Sequence, residues 1–245
     1  MTIALIADIH ANLPALEAVL EDIDRRNPDQ IYCLGDLVGY NIWPNEVIEN
    51  IRKRRIPTIA GNHDLKISTM DPASEESPKN YAYRLISPSE KQYLQTLPAH
   101  IRLEFNYLPE PLHMLLVHGS PLNANEYLFE DTDEAVLLKH LEDTQANILC
   151  VGHTHKPYHR TLYTQKEGKD QFKHIINTGS VGKPKDGDPR ACYVLVELDL
   201  STDIKVVESL SVEFIRVQYD VEKAAKAVEG SLLPNEWANM LRQAY

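Results

Sequence analysis

The stretch Ile56-Pro57-Thr58-Ile59-Ala60-Gly61-Asn62-His63-Asp64 joins a short apolar run directly to three polar side chains. The run Ile56–Ala60 predicts a buried strand, and Gly61 lets the backbone turn sharply at its end. An amide, an imidazole and a carboxylate are costly to bury without partners. The tetrapeptide Gly61–Asp64 is therefore either an ordinary polar turn or part of a site, and the rest of the chain decides between the two.

The first third of the chain alternates apolar runs with helical periodicity. Ile3–Ala7 and Ile31–Leu34 predict buried strands, and the segment Leu13–Ile23 between them carries apolar residues at helical spacing. With Ile56–Ala60 as a third strand, the pattern is β-α-β-α-β, which predicts a parallel sheet. In such sheets the ligand crevice lies outside the carboxyl ends of the strands.

Five predicted strands end in side chains that commonly bind metals. These side chains are Asp8 and His10, Asp36, Asn62, His118, and His153 with His155. Each short motif is weak evidence for a metal site by itself. Ordinary polar turns do not readily explain why all of them lie at strand ends. Imidazoles mixed with carboxylates suit borderline divalent metals. Seven ligands are too many for one tetrahedral site and suit two ions about 3.5–4 Å apart that share a bridging carboxylate.

Composition excludes several classes of function. The 245 residues carry a formal net charge of −11, which argues against a general nucleic-acid-binding surface. No stretch approaches the ~20 apolar residues of a transmembrane helix, and the N-terminal run is too short for an export signal. Cys33, Cys150 and Cys192 lie in apolar stretches, which predicts reduced buried thiols and a cytoplasmic protein without membrane contact. Assembly into a homo-oligomer stays open.

Residues 65 to about 110 differ in character from the strands around them. Thr69–Asn80 predicts an exposed loop, and Ser87–Glu90 opens a short helix. This insertion is either a cap over the site or a solvated segment without a role. Further strands are predicted over Leu112–Val117, Ile148–Val151, Tyr158–Thr164, Phe172–Ile176, Ala191–Leu198, Ile204–Val207 and Phe214–Val217. Further helices are predicted over Asp131–Glu142, with Val136 inward, and over Asp220–Val228 and Asn235–Ala244. No linker composition divides the chain, which predicts one domain over residues 1–245.

The motifs D-x-H, G-D, G-N-H-D, a lone H and G-H-x-H follow one another in this order, and the chain thereby resembles the calcineurin-like metallophosphoesterase superfamily. The resemblance implies an α/β (α+β) fold of two mixed β-sheets, packed as a sandwich and flanked by helices. It implies the following metal ligands: Asp8, His10 and His155 for the first ion, Asn62, His118 and His153 for the second, and Asp36 as the bridge.

Two stretches narrow the resemblance to a small prokaryotic branch of the superfamily. They are Gly35–Tyr40 and Asn177–Pro184. The serine/threonine protein phosphatases carry Asp-Arg-Gly where this chain has Gly39-Tyr40-Asn41. An arginine that grips phosphate and an aspartate that supports the catalytic histidine are therefore missing, and a protein phosphatase is not expected.

The function that follows is a metal-dependent phosphoesterase acting on a small phosphorylated compound. A metal-bridging hydroxide is the expected nucleophile, since two cations ionise a bound water near neutral pH. Two divalent ions are expected among Mn, Fe, Zn and Ni, with Mn or Fe favoured. Phosphodiesterase and phosphatase activity both stay open. The alternative is a catalytically inactive scaffold of the same fold, and the complete ligand set argues against it.

Five further residues receive candidate roles. His63 is the natural general acid for the leaving group, a role worth typically ~10²–10⁴-fold. Asp64 either orients His63 or caps the segment that follows. Asn12 either binds phosphoryl oxygens or only caps a helix. By resemblance, Ser180 lies in a turn near the metals whose N–H groups bind an anion, and the alternative is a plain connector. Arg190 is a candidate substrate cation or a surface charge.

Overall fold

Two β-sheets form the centre of the fold. A computed structural model describes residues 1–70, 77–106, 111–166, 168–199, 201–203, 205–206 and 210–245. The strands in these ranges are β1 (Thr2–Ile6), β2 (Gln30–Cys33), β3 (His100–Phe105), β4 (Leu112–Val117), β5 (Ile148–Val151), β6 (Tyr158–Lys166), β7 (Lys169–Asn177), β8 (Ala191–Glu197) and β9 (Ser211–Val217). The helices are α1 (Leu13–Arg26), α2 (Pro44–Lys53), α3 (Asn62–Thr69), α4 (Tyr81–Arg84), α5 (Pro88–Gln95), α6 (Glu134–Asp143), α7 (Val221–Glu229) and α8 (Glu236–Gln243).

The first sheet has the strand order β2-β1-β8-β9, and the second has the order β3-β4-β5-β7-β6. In the first sheet β1 and β2 run parallel, whereas β8 pairs antiparallel with both β1 and β9. In the second sheet β4, β5 and β7 run parallel, and the two edge strands β3 and β6 pair antiparallel with their neighbours. Both sheets are mixed, as the resemblance implies.

Strand β1 shows why the sheets pack face to face. Its residues Ile3 and Leu5 lie in the core between the sheets, together with Met114 of β4 and Ile148 of β5. The alternate residues of β1 point to the other face, where they pack in the same core as helices α1 and α2. A strand covered on both faces needs a continuous apolar run, which is what β1 has.

The second sheet has a helix layer of its own. Leu115 of β4 and Leu149 of β5 pack with Leu137 and Leu141 of α6, on the face opposite the first sheet. The layers are therefore helix, sheet, sheet, helix. The predicted fold class, two mixed sheets packed as a sandwich and flanked by helices, is confirmed.

The segment Ile56–Ala60 is not a strand, contrary to the prediction. Thr58 makes a single parallel bridge with Cys33 at the end of β2. Two hydrogen bonds of 3.0 Å flank this bridge, from the Cys33 N–H to the Pro57 carbonyl and from the Ile59 N–H to the Cys33 carbonyl. Because Pro57 has no N–H to extend the ladder, the pairing stays short. The extended segment nevertheless delivers the residues that follow it to the end of β2.

Residues 65–110 contain more regular structure than the sequence indicated. Helix α4 and strand β3 lie in this segment and were not predicted. Pro78–Asn80 forms a 3₁₀ turn inside the predicted loop, and residues 71–76 of that loop lie outside the described residues. Helix α5 begins as predicted, with the Ser87 hydroxyl accepting a hydrogen bond of 3.3 Å from the Glu90 N–H.

Helix α6 differs from the prediction in two respects. Helix α6 starts at Glu134 behind an Asp133 cap, later than predicted, and Val136 is 41% exposed rather than inward. Ile204 and Val207, the ends of a predicted strand, lie outside the described residues. Among the described helices, none combines the length and the apolar character that a membrane span requires.

Candidate metal centre

The strand ends of both sheets meet at one place. Asp8 and His10 follow β1, Asp36 follows β2, and His118 follows β4. Three clusters of side chains there bring their ligand atoms within 4.8 Å of one another. The clusters are Asp8-His10-His155, His10-Asp36-His63 and Asp36-His118-His153.

The backbone bends unusually at these residues. Five of the seven predicted ligands have a positive φ although none is glycine, and they are Asp8 (54°), His10 (49°), Asp36 (55°), His153 (65°) and His155 (60°). Non-glycine residues rarely adopt this left-handed conformation, and the backbone strain that it causes is most often found at functional sites. Each of these residues lies two to four positions beyond the end of a strand, and the turn there directs its side chain across the sheet ends.

The first cluster has the spacing of a coordination shell. The Asp8 Oδ1 atom lies 3.3 Å from His155 Nε2 and 3.6 Å from His10 Nε2, and the two Nε2 atoms lie 3.1 Å apart. Ligand bonds of about 2.1 Å place neighbouring ligand atoms about 3.0–3.5 Å apart. The three atoms therefore fit around one ion.

One oxygen of Asp36 lies between the first cluster (Asp8-His10-His155) and the second cluster (Asp36-His118-His153). Its Oδ2 atom is 3.6 Å from His10 Nε2 and 3.3 Å from His118 Nε2. The other oxygen, Oδ1, accepts a hydrogen bond of 2.8 Å from the His63 backbone N–H. Asp36 is therefore oriented by one oxygen and presents the other to both clusters.

The second cluster adds an amide to two imidazoles. The Asn62 Oδ1 atom lies 3.1 Å from His118 Nε2. The rings of His118 and His153 lie 5.1 Å apart at their centroids. The backbone N–H of His153 donates to Asp8 Oδ2 at 3.0 Å, which links the second cluster to the first.

Backbone carbonyls fix the histidine tautomers. The Nδ1–H groups of His10, His118 and His155 donate to the carbonyls of Val38 (3.0 Å), Leu34 (2.8 Å) and Lys183 (2.5 Å). A proton held on Nδ1 leaves Nε2 with its lone pair. Metal-binding histidines are typically oriented in this way.

Metal ions fit these residues. Three buried ligand atoms of the site have no hydrogen-bond partner among the described residues, namely Asp8 Oδ1, Asp36 Oδ2 and His153 Nε2. Leaving such atoms unpaired is costly unless a ligand takes them. Burial opposes ionisation of Asp36, but the nearby His118 and His63 hold the pKa of Asp36 below its usual range. Two buried carboxylates that stay ionised supply the negative charge that a cation requires.

Asp64 acts on Asp36 and not on His63. Its carboxylate accepts hydrogen bonds from the backbone N–H groups of Asp36 (2.8 Å), Leu37 (3.0 Å) and Gly61 (2.9 Å). Burial and the Asp36 carboxylate raise the pKa of Asp64 to about 7, while these N–H donors oppose the rise. No described contact joins its carboxylate to the His63 ring. Asp64 therefore holds the turn that carries Asp36 and is not placed to orient His63.

Gly61 is needed for this close approach. A Cβ atom at position 61 would lie 2.1 Å from Asp36 Oδ1, a distance that real Cβ atoms do not show. The glycine of the G-N-H-D motif therefore makes room for the carboxylate of the G-D motif.

Replacing Asp64 by alanine should destabilise the fold by at least about 2 kcal/mol. The substitution leaves three backbone N–H groups without their acceptor, and each unsatisfied buried donor costs about 1–3 kcal/mol. Denaturant unfolding of the two proteins measures the difference. Asp143→Ala, which removes an exposed carboxylate paired with Lys139, is the matched control and should change stability little. Equal losses in the two variants would contradict the role given to Asp64.

His63 lies at the edge of the clusters. Its ring centroid is 4.9 Å from that of His10, and its Nδ1 atom is 2.5 Å from the Tyr83 hydroxyl. Burial lowers the pKa of His63 to about 3, which favours the neutral ring.

The three predicted substrate-binding residues have other partners. The Asn12 amide donates to the Gly182 carbonyl (2.8 Å) and the Tyr219 hydroxyl (3.2 Å), so both of its N–H donors are taken. The Ser180 hydroxyl donates to the Asp8 carbonyl at 2.7 Å. The half-exposed Arg190 guanidinium pairs with Asp188 at 2.6 Å. We do not assign these three residues to the substrate.

Two aromatic residues at the site were missed by sequence reasoning. Tyr127 stacks on His153 with centroids 4.0 Å apart, and Tyr83 contacts His63. Neither belongs to a motif or to a regular spacing. No signal in a single sequence could have found them, because both contacts join segments far apart in the chain.

Comparison with known proteins agrees with this geometry. The sequence profile of the calcineurin-like phosphoesterase superfamily domain matches residues 1–201. An uncharacterized protein of Methanocaldococcus jannaschii is 32% identical over 249 residues, which cover 96% of this chain and 94% of that protein.

Two crystal structures share the fold. A metallophosphoesterase from Sphaerobacter thermophilus is 28% identical, with a TM-score of 0.77 over 100% of this chain and 99% of that chain. A hypothetical protein from Pyrococcus horikoshii OT3 is 22% identical, with a TM-score of 0.75 over 100% of this chain and 98% of that chain, and it supports the fold alone. The profile match and the relative of 32% identity decide the family: this chain belongs to the calcineurin-like phosphoesterase superfamily.

Proposed function

We propose that the protein hydrolyses phosphate esters of small molecules at a centre of two divalent metal ions. The proposal rests mainly on the position of the Asp36 Oδ2 atom. It has no hydrogen-bond partner in the described part of the chain, and it lies 3.6 Å from His10 Nε2 and 3.3 Å from His118 Nε2. A single carboxylate oxygen between two ligand clusters is what a bridged pair of ions requires.

The ligand assignment follows the two clusters. We propose Asp8, His10 and His155 for one ion and Asn62, His118 and His153 for the other, with Asp36 between them. Mixed imidazole, carboxylate and amide donors suit Mn²⁺ or Fe²⁺, with Zn²⁺ and Ni²⁺ as alternatives. When bound, two such ions supply a hydroxide nucleophile at neutral pH and offset the charge of the phosphoryl group.

The charge balance of the site favours an anionic substrate. The proposed ligands include only two carboxylates, Asp8 and Asp36, against four imidazoles and one amide. Two divalent ions would carry four positive charges, so the loaded centre would keep an excess of two, or of one once a hydroxide is bound. An anionic phosphate ester is attracted to that positive excess.

We propose that His63 assists the leaving group. Its backbone N–H is held by Asp36 Oδ1 and its ring Nδ1 by Tyr83, which leaves Nε2 for the substrate. From there the ring would give a proton to the leaving oxygen when it is doubly protonated and so return to its neutral form, and the neutral ring would donate a hydrogen bond. Positioned acids of this kind contribute typically ~10²–10⁴-fold.

One ligand of the proposed second ion, His118, lines a cavity of about 420 Å³. Apolar side chains line it as well, among them Leu65, Leu97 and Leu122. An apolar crevice beside a phosphate site accommodates the organic part of an ester. This supports a small organic phosphate as substrate, either a monoester or a diester.

The three cysteine thiols are buried and unpaired, which supports a cytoplasmic location.

A metal-dependent assay tests the proposed function. We expect protein stripped with a chelator to be inactive, and to hydrolyse 4-nitrophenyl phosphate or bis(4-nitrophenyl) phosphate when Mn²⁺ is restored. Asp8→Ala should abolish this activity, whereas His113→Ala, on the partly exposed side of β4, should leave it unchanged. Folded wild-type protein that turns over neither ester with Mn²⁺, Fe²⁺, Zn²⁺ or Ni²⁺ would contradict the proposal and favour an inactive scaffold.

A further inference from the structure

Tyr83 brings the segment of residues 65–110 into contact with the site. It lies on the short helix α4, and its side chain is 2% exposed. Its hydroxyl lies 2.5 Å from Nδ1 of His63. Among the described residues, no other group forms a hydrogen bond with this ring nitrogen. A residue outside every motif is therefore the partner of the proposed acid.

The His63 ring is confined on its other sides. The ring centroids of His10 and Tyr40 each lie 4.9 Å from that of His63. Gly39 has a φ of +94°, and a Cβ atom there would lie 2.6 Å from His63 Nδ1. The ring thus lies directly against the main chain at a position that only glycine allows. Within this close packing, the hydrogen bond with the Tyr83 hydroxyl sets the orientation of the His63 ring.

Tyr83 is itself held firmly. Its ring packs in the core beside α1 and α2, and the Lys66 ammonium lies 4.7 Å from the ring centroid. That ammonium also donates to Asn80 Oδ1 at 2.9 Å. Burial raises the pKa of Tyr83 far above its usual value, so the side chain stays a neutral phenol. A fixed phenol offers His63 both a donor and an acceptor.

The chemistry of this partner differs from that of a carboxylate. A carboxylate only accepts, and therefore requires a proton on Nδ1. The Tyr83 hydroxyl donates to Nδ1 when the ring is neutral, which keeps the ring proton on Nε2. Once the ring is protonated, the hydroxyl rotates and accepts from Nδ1. In both states Nε2 is the nitrogen that carries a proton toward the substrate.

We propose that Tyr83 is the positioning residue for His63, since its hydroxyl holds Nδ1 and directs Nε2–H at the leaving oxygen. The inference rests on the proposed phosphoesterase function. It also gives the segment of residues 65–110 a role, because α4 supplies the group that orients the acid.

Leaving groups of different quality test this proposal. Phenolate is a poor leaving group that needs a proton, whereas 4-nitrophenolate leaves with little help. Tyr83→Phe should lower kcat/KM for phenyl phosphate by about 10-fold or more, a part of the ~10²–10⁴-fold worth of a general acid. The same variant should change kcat/KM for 4-nitrophenyl phosphate by less than about 2-fold. Tyr81→Phe, on the same helix, should match the wild type with both esters.

A double variant separates positioning from a general structural effect. In a His63→Ala background, Tyr83→Phe should have no further effect on either ester, because the residue acts only through His63. Equal losses for the two esters, no loss at all, or a loss that persists without His63 would each overturn the proposal. Wild-type protein without activity toward either ester would instead contradict the phosphoesterase function itself.

A spectroscopic measurement covers the case in which the phenylalanine variant does not fold. In zinc-loaded, diamagnetic wild-type protein, ¹⁵N NMR of the imidazoles should show His63 protonated on Nε2 and unprotonated on Nδ1. The His63→Gln variant assigns the signal. A resting ring with its proton on Nδ1 would overturn the proposed direction of the hydrogen bond.

Discussion

Replacing His63 by alanine should lower kcat by about 10²–10⁴-fold while the protein keeps two metal ions per chain. The reason is that Asn62 and His63, neighbours in the G-N-H-D motif, have different contacts. Asn62 turns its amide oxygen toward His118, whereas His63 Nδ1 contacts the Tyr83 hydroxyl. The other ring nitrogen of His63 is the one that we propose faces the substrate. Steady-state kinetics and elemental analysis of the same preparation measure the two quantities.

The metal content of the His63→Ala variant distinguishes a catalytic acid from a metal ligand. The ligand atoms of His63, His10 and Asp36 also lie within 4.8 Å of one another, so the geometry also allows His63 to bind a metal ion. If the alanine variant retains only one ion, His63 is a ligand and its assignment as the acid is wrong. His113→Ala serves as the control and should retain both the ions and the activity.

Replacing Asp36 by asparagine should remove both ions together and abolish activity. The retained amide oxygen would accept from the His63 N–H as Oδ1 does now, at 2.8 Å. The NH₂ group then takes the place of Oδ2 and turns donors toward the ions. An amide nitrogen cannot share a lone pair between two cations, so occupancy should fall at both positions.

A comparison with the other ligands makes this result specific. His155→Ala and Asn62→Ala each remove a ligand of one proposed ion only, so each should lower the metal content by about one per chain. Titration with Mn²⁺, followed by elemental analysis, compares the three variants. An Asp36→Asn protein that loses only one ion would show that Asp36 does not bridge.

The positions of the candidate ligands could be predicted because they follow a local rule. Apolar runs such as Ile3–Ala7 predict buried strands, and a polar residue directly after a buried strand lies at the sheet end. Parallel pairing of β1 with β2 then brings Asp8 near Asp36. The mixed sheets were expected from the resemblance, and the structure agrees.

The partners of those residues could not be predicted, because they depend on contacts between distant segments. Asp64 binds the N–H of Asp36, 28 residues away, and Asn12 binds the Gly182 carbonyl, 170 residues away. No local pattern distinguishes a carboxylate that orients a histidine from one that holds a turn. The segment Ile56–Ala60 shows the same limit, since its apolar composition predicts burial but not a paired ladder.

A pair of ions bridged by Asp36 is the central claim about this site, and anomalous diffraction from manganese-loaded crystals tests it most directly. Two anomalous peaks about 3.5–4 Å apart are expected, with Asp36 bound to both. Asp8, His10 and His155 should surround one peak, and Asn62, His118 and His153 should surround the other. A single peak at full manganese saturation, or two peaks with Asp36 bound to only one, would contradict the claim.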